Sequence, residues 1–390
     1  MERLGQINNK IITGDFIKIN DQYFSDLKID SLVKIALLTT ISGYLKKNKI
    51  IINTKFKLPN KKSLEQFLSF LLNDRNFCPI NYNLKIKEKL KKDESSINIQ
   101  HNFQSIILFS GGFDSSSALL YSLKKGWKPL LLWIGFGQKN EKQEEKIVKK
   151  LAKRFQQKLL IIKLDLKELV DKGWKEWDYI VPARNFVFAA FAAAILSHSK
   201  FNKTNIIIGV HEEEFNHPNP GPDKSPHFFA YCTKLFSKYY KKQIRLITPF
   251  KNISKTDLVA YWQNTWEKKY KLDPHETISC YYGNNCGKCN ACFKRSISFM
   301  AANIGLDKNI KINPFSNNAE HVREYLKRCF SKSKKSKFNN KRAIETLLAY
   351  KNAYKLLPTD SKNIMDNLSK SWQSKIIRKE KELKNFRKLC

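Results

Sequence analysis

Between an apolar run at residues 106–109 and a helix-forming run at 116–121, the chain carries the hexapeptide Ser110-Gly111-Gly112-Phe113-Asp114-Ser115. Two adjacent glycines can adopt backbone angles closed to other residues and bring N–H groups close to an anion. Ser115 and Ser116 add hydroxyl donors at a helix N-terminus, which already favours phosphate. The order of strand, glycine turn and helix predicts a phosphate-binding turn, although an ordinary β-turn has the same local pattern. No Gly-Lys-Ser/Thr closes it, so it is not a Walker A loop.

The composition describes a folded and strongly basic chain. Its 390 residues suffice for two or three domains, and 42% hydrophobic with 12% aromatic residues exclude a disordered protein. The net charge of +37 predicts a polyanionic partner such as nucleic acid, or reflects lysine enrichment from an AT-rich genome. The most apolar run, 186–196, is well short of the ~20 residues of a membrane span, and the N-terminus lacks a signal-peptide core. We therefore predict a cytoplasmic protein without a membrane segment.

Apolar runs of strand length and helical stretches alternate from residue 103 onward. Strands are predicted at 105–109, 129–134, 158–164, 205–210 and 243–248, and helices at 115–125, 141–156, 185–197, 228–241 and 255–268. This alternation predicts an α/β fold with a doubly wound, mostly parallel sheet and an active site outside the carboxyl ends of its strands. Ser110 and the turn Gly135-Phe136-Gly137-Gln138 would both reach that edge.

We predict three regions along the chain. Residues 1–100 would form a small N-terminal accessory domain with helices at 31–44 and 63–72, a strand at 49–57 and a solvated linker at 85–96. Residues 101–316 would form the α/β domain, and 317–390 a basic helical C-terminal region. Residues 331–390 hold 17 Lys and Arg against 5 Asp and Glu, with Trp372 and Phe386 interleaved. This pattern would suit nucleic acid, or a helical face that is merely solvated.

Four of the eight cysteines lie close together in the sequence, namely Cys280, Cys286, Cys289 and Cys292. Their spacing favours a tetrahedral all-cysteine zinc site over a disulfide scaffold and over a redox pair at Cys289 and Cys292. Such a site leaves no open coordination position. Its predicted role is therefore structural, with a zinc-loaded loop held at the sheet edge by an apparent affinity of ~10–16 kcal/mol.

Together with Val181-Pro182-Ala183-Arg184-Asn185, these motifs resemble those of the QueC family, the 7-cyano-7-deazaguanine synthases of queuosine biosynthesis. That family, in the ATP pyrophosphatase superfamily, shows Ser-Gly-Gly-x-Asp-Ser, Tyr-Gly-Gln, Val-Pro-Gly/Ala-Arg-Asn and Cys…Cys-Gly-x-Cys-x-x-Cys in this order. Phe136 replaces the tyrosine here. Residues 209–215 resemble its Gly-Val-x-Glu-x-Asp-Tyr/Phe, and Thr248-Pro249 with Lys255 its Thr-Pro and helix lysine. The resemblance covers about 103–305 and implies the adenine nucleotide alpha-hydrolase (PP-loop) fold.

The resemblance also implies a reaction and the residues that carry it. The chain would be an ATP-dependent ligase that adenylates a carboxylate, here 7-carboxy-7-deazaguanine, and condenses it with a nitrogen nucleophile to give an amide or nitrile. The implied cofactors are ATP, Mg²⁺ and Zn²⁺. The implied catalytic residues are Asp114, Ser115, Arg184 and Lys255. The implied ATP-binding residues are Ser110, Gly111, Gly112, Asp114, Ser115, Ser116, Gln138 and Asn185. The implied substrate-binding residues are Glu212, Glu214, Phe215, Asp223 and Phe228.

The chain departs from the family where Asp-Cys-Arg-x-Glu-Phe helps form the deazaguanine pocket. The corresponding residues 223–228 read Asp-Lys-Ser-Pro-His-Phe and come three residues later, which predicts a rebuilt pocket. With its extra terminal regions, the chain is similar to extended QueC-like proteins of bacterial antiphage systems, including the Qat type. This implies a possible protein partner from a defence operon, whose amine would stop the reaction at an amide.

Two other interpretations stay open, as does the oligomeric state. A tRNA-thiolating or tRNA-lysidine pyrophosphatase would explain the basic C-terminus but not residues 181–185 together with the four cysteines. A catalytically silent binding subunit of a defence complex would have no need of Asp114 and the neighbouring serines.

Overall fold

The computed structural model describes residues 3–7, 10–13, 17–19, 30–45, 49–54, 60–72, 83–88, 101–164, 166, 181–216, 221–283, 285–316, 319–331 and 340–386. Within these ranges, no helix combines the length and the apolar character that a membrane crossing requires.

The strands in chain order are β1 (Arg3–Ile7), β2 (Lys10–Thr13), β3 (Ile17–Ile19), β4 (Lys49–Thr54), β5 (Asn83–Glu88), β6 (Ser105–Leu108), β7 (Leu130–Gly135), β8 (Leu159–Leu164), β9 (Lys203–Ile207) and β10 (Gln243–Ile247). The helices are α1 (Ser31–Leu45), α2 (Lys61–Leu72), α3 (Phe113–Lys124), α4 (Glu141–Arg154), α5 (Arg184–Ser197), α6 (Glu212–Phe215), α7 (Pro226–Tyr239), α8 (Lys255–Tyr261), α9 (Glu267–Tyr270), α10 (Asn290–Ala301), α11 (Ala319–Phe330), α12 (Asn340–Asn352), α13 (Thr359–Asp366) and α14 (Lys370–Lys384). One π-helical turn (Trp262–Trp266) joins α8 to α9.

A six-stranded sheet forms the centre of the molecule, in the order β10-β9-β6-β7-β8-β3. The five strands β6 to β10 are parallel to their neighbours, and β3 is antiparallel to β8 at the edge. All five strands predicted between 105 and 248 are present, with ends shifted by three residues at most. The five predicted helices are present too, although the one at 255–268 is interrupted by the π-helical turn.

Helices cover both faces of this sheet, which confirms the doubly wound α/β prediction. Along β6, Ile106 and Leu108 join one apolar core, while Ile107 and Phe109 join the other, because alternate side chains of a strand point to opposite faces. The first core takes in α1, α2, α5 and α7. The second takes in α3, α4, α8, α10 and the C-terminal helices.

The N-terminal residues form a second sheet, in the order β2-β1-β4-β5, and also contribute β3 to the central sheet. Both predicted helices and the strand near residue 49 are present. The linker prediction is wrong at 85–88, because β5 pairs with β4 in parallel. Leu84 and Ile86 alternate with lysines in β5, a strand pattern that the lysine content obscured. Residues 89–96 lie outside the described residues.

The C-terminal region is helical, as predicted, and packs onto the central domain. Leu347 and Tyr350 of α12 and Ile376 and Leu383 of α14 are buried in the same core as the second face of the sheet. The predicted divisions at residues 100 and 316 stay predictions.

Candidate functional site

The candidate site lies where the direction of chain winding reverses in the central sheet. The chain leaves β6 through α3 toward β7 on one side, and leaves β9 through α7 toward β10 on the other, although β6 and β9 are neighbours. Open α/β sheets bind ligands at such a switch point, outside the carboxyl ends of the strands. The glycine turn follows β6, and residues 208–211 follow β9.

The glycine turn is held by its own serines. Gly111 has φ of +70°, which favours glycine. The Ser110 N–H donates to Ser115 Oγ at 3.3 Å, and Ser115 Oγ donates to the Gly112 carbonyl at 3.1 Å. Ser116 Oγ is buried and has no hydrogen-bond partner in the described structure. Buried polar atoms almost always have partners, so this hydroxyl has an unused capacity for hydrogen bonding.

Gly209, two residues after β9, lies directly against this turn. A Cβ atom on Gly209 would stand 2.3 Å from the Asp114 carbonyl oxygen and 3.0 Å from the Ser115 nitrogen. Only glycine allows β9 and the start of α3 to approach so closely.

Asp114 and Lys255 face each other across the site. Lys255 Nζ lies 2.9 Å from Asp114 Oδ2, whereas Asp114 Oδ1 is buried and has no hydrogen-bond partner among the described residues. Lys255 is the first residue of α8, and the Ser254 side chain before it caps that helix by accepting from the Asp257 N–H at 3.1 Å. The cap sets the position of the lysine relative to the glycine turn.

Three consecutive glutamates after β9 each bind a different cation or donor. Glu212 Oε2 lies 2.7 Å from Lys341 Nζ, and Glu214 Oε1 lies 2.5 Å from Lys224 Nζ. Glu213, between them, accepts from the Lys255 backbone N–H at 3.0 Å. The carboxylates predicted to contact substrate, Glu212 and Glu214, therefore both have lysine partners.

His211 is tied electrostatically to these acids. Its Nδ1 lies 2.6 Å from Glu213 Oε2. Burial would lower the pKa of His211, but the charges of Glu213 and Glu214 outweigh burial and raise it. Burial would raise the pKa of Glu213, but the charge of His211, its hydrogen bond to Glu213 and the charge of Arg342 together outweigh burial and lower that pKa to about 2. In the same way, Lys224 and His211 hold the pKa of Glu214 well below its usual range against the effect of burial.

Asn185 and Asp223 bind each other at the start of α5. The Asn185 N–H donates to Asp223 Oδ2, and Asn185 Nδ2 donates to the Asp223 carbonyl, both at 3.1 Å. The Asp223 carboxylate thus satisfies an N–H group of the first turn of α5. Arg184, beside them, makes no ion pair with a described residue, and its charge opposes the burial that raises the pKa of Glu144.

Gln138 lies just after β7, next to the half-buried Glu144. Gln138 Nε2 is 3.4 Å from Glu144 Oε2, and Gln138 Oε1 accepts from the Phe136 N–H at 2.7 Å. Asn140 donates to Glu144 Oε1 at 2.8 Å and to the Cys280 carbonyl at 3.2 Å. This group of residues connects the end of β7 to the cysteine cluster.

Phe228 is where the structure departs from the predicted substrate contacts. Its side chain is fully buried, and its ring packs against Phe67 of α2 and against Phe229. Phe228 is therefore a core residue in this structure and not part of a pocket wall. Phe215 is partly buried, with its ring 5.2 Å from that of Phe229.

The four cysteines come together as a compact cluster. The sulfur atoms of Cys280, Cys286, Cys289 and Cys292 all lie within 4.8 Å of one another. Sulfur ligands about 2.3 Å from a zinc ion in a tetrahedral site are about 3.8 Å apart, and the Cys286 and Cys292 sulfurs are 4.0 Å apart. The Cys286 and Cys289 N–H groups donate to the sulfurs of Cys280 and Cys286, as expected around thiolate ligands. The cluster could thus hold a metal ion such as zinc.

The segment before the cluster joins it to the glycine turn. The Ile278 N–H donates to the Gly111 carbonyl at 3.2 Å. Arg295 of α10 is buried, and it binds Asp307 at 2.9 Å and the carbonyls of Pro274 and Thr277 at 3.0 and 3.1 Å. A metal held by the cysteines would therefore stabilise the backbone that supports the turn.

Sequence reasoning assigned no role to two lysines of this site, Lys224 and Lys341. Lys224 could have been found, because a lysine ten positions after Glu214 replaces part of the altered pocket motif. Lys341 gave no local signal, since it lies 129 residues from Glu212 in the sequence.

Comparisons with known proteins match the central part of the chain to one protein family. A family model described as "Queuosine biosynthesis protein QueC" matches residues 104–176 and 172–303. The chain is 29% identical over 221 residues to the 7-cyano-7-deazaguanine synthase of Picrophilus torridus, which covers 51% of this chain and 88% of that protein. It is 28% identical over 244 residues to the synthase of Leptospira interrogans, covering 57% and 97%. The match to 7-cyano-7-deazaguanine synthase 2 of Sulfurisphaera tokodaii, at 26% identity, covers 58% of this chain and 51% of that protein.

Among solved structures, one described as a predicted subunit of a tRNA methyltransferase from Methanocaldococcus jannaschii matches at 21% identity with a TM-score of 0.29. That match covers 45% of this chain and 92% of that chain.

Proposed function

Because this chain belongs to the QueC family, we propose that it is an ATP-dependent carbon–nitrogen ligase that activates a carboxylate as an acyl-adenylate. A carboxylate oxygen would attack the α-phosphorus of ATP and displace pyrophosphate. A nitrogen nucleophile would then attack the carbonyl carbon and displace AMP. The acid that we propose is 7-carboxy-7-deazaguanine, because the relatives at 28–29% identity are named 7-cyano-7-deazaguanine synthases.

The observation that carries this proposal is the glycine turn with two buried oxygens, Asp114 Oδ1 and Ser116 Oγ, for which the described part of the chain provides no partner. The N–H groups of Gly111 and Gly112 and the Ser116 hydroxyl would bind phosphate oxygens. Asp114 Oδ1 is a carboxylate oxygen of the kind that Mg²⁺ prefers, so this residue would hold the ion. Mg²⁺ would supply positive charge to the phosphates.

Two cations would counter the charge of the departing pyrophosphate. Lys255 Nζ is already 2.9 Å from Asp114, at the edge of the turn. Arg184 makes no ion pair with a described residue, so its guanidinium can bind an anionic group. Gln138 would contact the nucleotide from the end of β7, and Asn185 would act by holding Asp223.

On the substrate side, Glu214, Phe215 and Asp223 would form the deazaguanine pocket, with Glu212 at its edge. The ion pair of Lys224 with Glu214 lies in the segment that departs from the family pattern, and it supports a changed pocket. Ammonia as nucleophile would give the amide, which a second ATP could dehydrate to the nitrile. An amine of a partner protein, for example in a defence system, would leave the reaction at the amide.

Mass spectrometry of the reaction products tests the proposal. We expect zinc-loaded protein with ATP, Mg²⁺, 7-carboxy-7-deazaguanine and ammonium to produce AMP together with the amide or nitrile. Asp114→Asn should lower product formation by about 100-fold or more, because it removes a charge at the reacting phosphates. Asp360→Asn is the matched control, since Asp360 forms an exposed ion pair with Arg323 outside the site.

Three outcomes would count against parts of this proposal. Full turnover by Asp114→Asn would contradict the role of the turn. AMP without a small-molecule product would point to a partner-supplied amine, detectable as a deazaguanine-modified protein. A wild-type protein that neither binds ATP nor forms AMP would refute the ligase and leave the binding-subunit interpretation.

A further inference from the structure

The C-terminal region contributes buried charges to the helix that carries Lys255. Lys379 Nζ of α14 lies 2.6 Å from Asp257 Oδ1 and 3.2 Å from Glu345 Oε1 of α12. Lys341 Nζ, also of α12, lies 2.8 Å from Asp257 Oδ2. Asp257 belongs to the first turn of α8, so two lysines from the C-terminal region converge on the start of that helix.

This network continues into the candidate site in two directions. Glu345 Oε1 accepts from the Ser254 hydroxyl at 2.7 Å, and Ser254 is the residue that caps α8 immediately before Lys255. Lys341 reaches past Asp257 to Glu212, 2.7 Å away, on the loop after β9. One lysine therefore bridges the helix that carries Lys255 and the glutamates that follow the switch point.

Burial gives the contacts among Asp257, Glu345 and Lys379 an energetic weight that surface ion pairs lack, and the Lys341 side chain, 34% exposed, reaches this buried group from the rim. Asp257, Glu345 and Lys379 are 5%, 2% and 8% exposed. Exposed ion pairs contribute little to stability, whereas removing one partner of a buried pair leaves a charge without compensation. The contacts therefore hold the start of α8 in one position.

We propose that Lys341, Glu345 and Lys379 are positioning residues. They fix Lys255 and Glu212 in the active site, so the C-terminal region contributes to the activity of the ligase. The inference rests on the proposed function for the role of Lys255, but its geometry is independent of any substrate. All three residues lie outside the stretch 104–303 that matches the family. The internal pairing of Lys341 and Lys379 also accounts for two lysines of the basic C-terminus without a nucleic-acid partner.

Three variants of the full-length protein test this role. Lys341→Met removes the charge but keeps the apolar stem, and we expect the Kd for Mg-ATP to rise about 10-fold. Lys341→Arg keeps the charge and should stay within about 3-fold of wild type. Lys351→Met is the matched control, because Lys351 lies on the same helix α12 and pairs with Glu380 at 2.6 Å at the surface. It should bind ATP like wild type.

Amide hydrogen exchange provides a readout that needs no turnover. Lys341→Met should raise exchange in peptides covering 211–216 and 254–261, while Lys341→Arg and Lys351→Met should not. Unchanged exchange and unchanged ATP affinity in Lys341→Met would overturn the inference, as would equal effects of Lys341→Met and Lys351→Met. Increased exchange in a protein that forms no AMP would support the positioning role and refute only the proposed reaction.

Discussion

Gly209 is a position where one added methyl group should disable the proposed nucleotide site. In Gly209→Ala the Cβ atom would stand 2.3 Å from the Asp114 carbonyl oxygen, where ordinary contact begins at 3.4 Å. The start of α3 must therefore move by about 1 Å. A displacement of that size in a catalytic group can reduce the rate about 100-fold, and overpacking costs about 1–3 kcal/mol of stability.

We would measure the Kd for Mg-ATP by calorimetry, the rate of AMP formation and the melting temperature. Gly126→Ala is the control, because Gly126 lies just after the same helix with φ of +73° and nothing within 4 Å of an added Cβ. Its backbone strain of about 1–2 kcal/mol should lower stability similarly without touching the turn. If Gly209→Ala binds and turns over ATP as well as Gly126→Ala does, the close approach of β9 to the turn does not position the site.

Two further predictions concern the cysteines and the histidine. Purified protein should carry about one zinc per chain, and Cys286→Ala should lose the metal and melt at a lower temperature. The control Cys232→Ala removes a buried thiol outside the cluster and should keep the metal. Folded wild-type protein without any bound metal would contradict this prediction. Because the pKa of His211 is raised above 6.5 in the folded state, its stabilising charge is complete below pH 6.5 and is lost as the pH rises through the folded value. His211→Gln should therefore lower the melting temperature more at pH 6 than at pH 9. The corresponding loss in the free energy of unfolding is about 1.4 kcal/mol for each pH unit by which folding raises the pKa. An equal decrease at both pH values would refute the pairing with Glu213.

Local patterns account for the parts of the fold that the sequence predicted. The five central strands follow from apolar runs, and the glycine turn from Ser110 to Ser115 is found at the end of β6. The cysteine cluster follows from close spacing between Cys280 and Cys292, which a few turns of backbone can bring to one point. Each of these signals lies within a short stretch of chain, so periodicity and spacing suffice to detect it.

The sequence misled where a side chain had two possible environments. Residues 85–88 were predicted to be part of a lysine-rich linker, but they form a strand because they pair with β4. Phe228 was predicted to contact substrate, but its ring is buried in the core and stacks against Phe67, which is far away in the sequence. In both cases the partner comes from another part of the chain, and local composition carries no information about it.

By itself the sequence determined the order of four features along the chain: a glycine turn after a strand, a group of acids, a lysine at a helix start and a cluster of four cysteines that could hold a metal ion. Only the tertiary structure decided which charges meet. Lys341 reaches Glu212 across 129 residues, and Lys379 reaches Asp257 across 122. The physical reason is that ion pairing depends on distance in space and on burial, and both arise only when the C-terminal helices pack against α8.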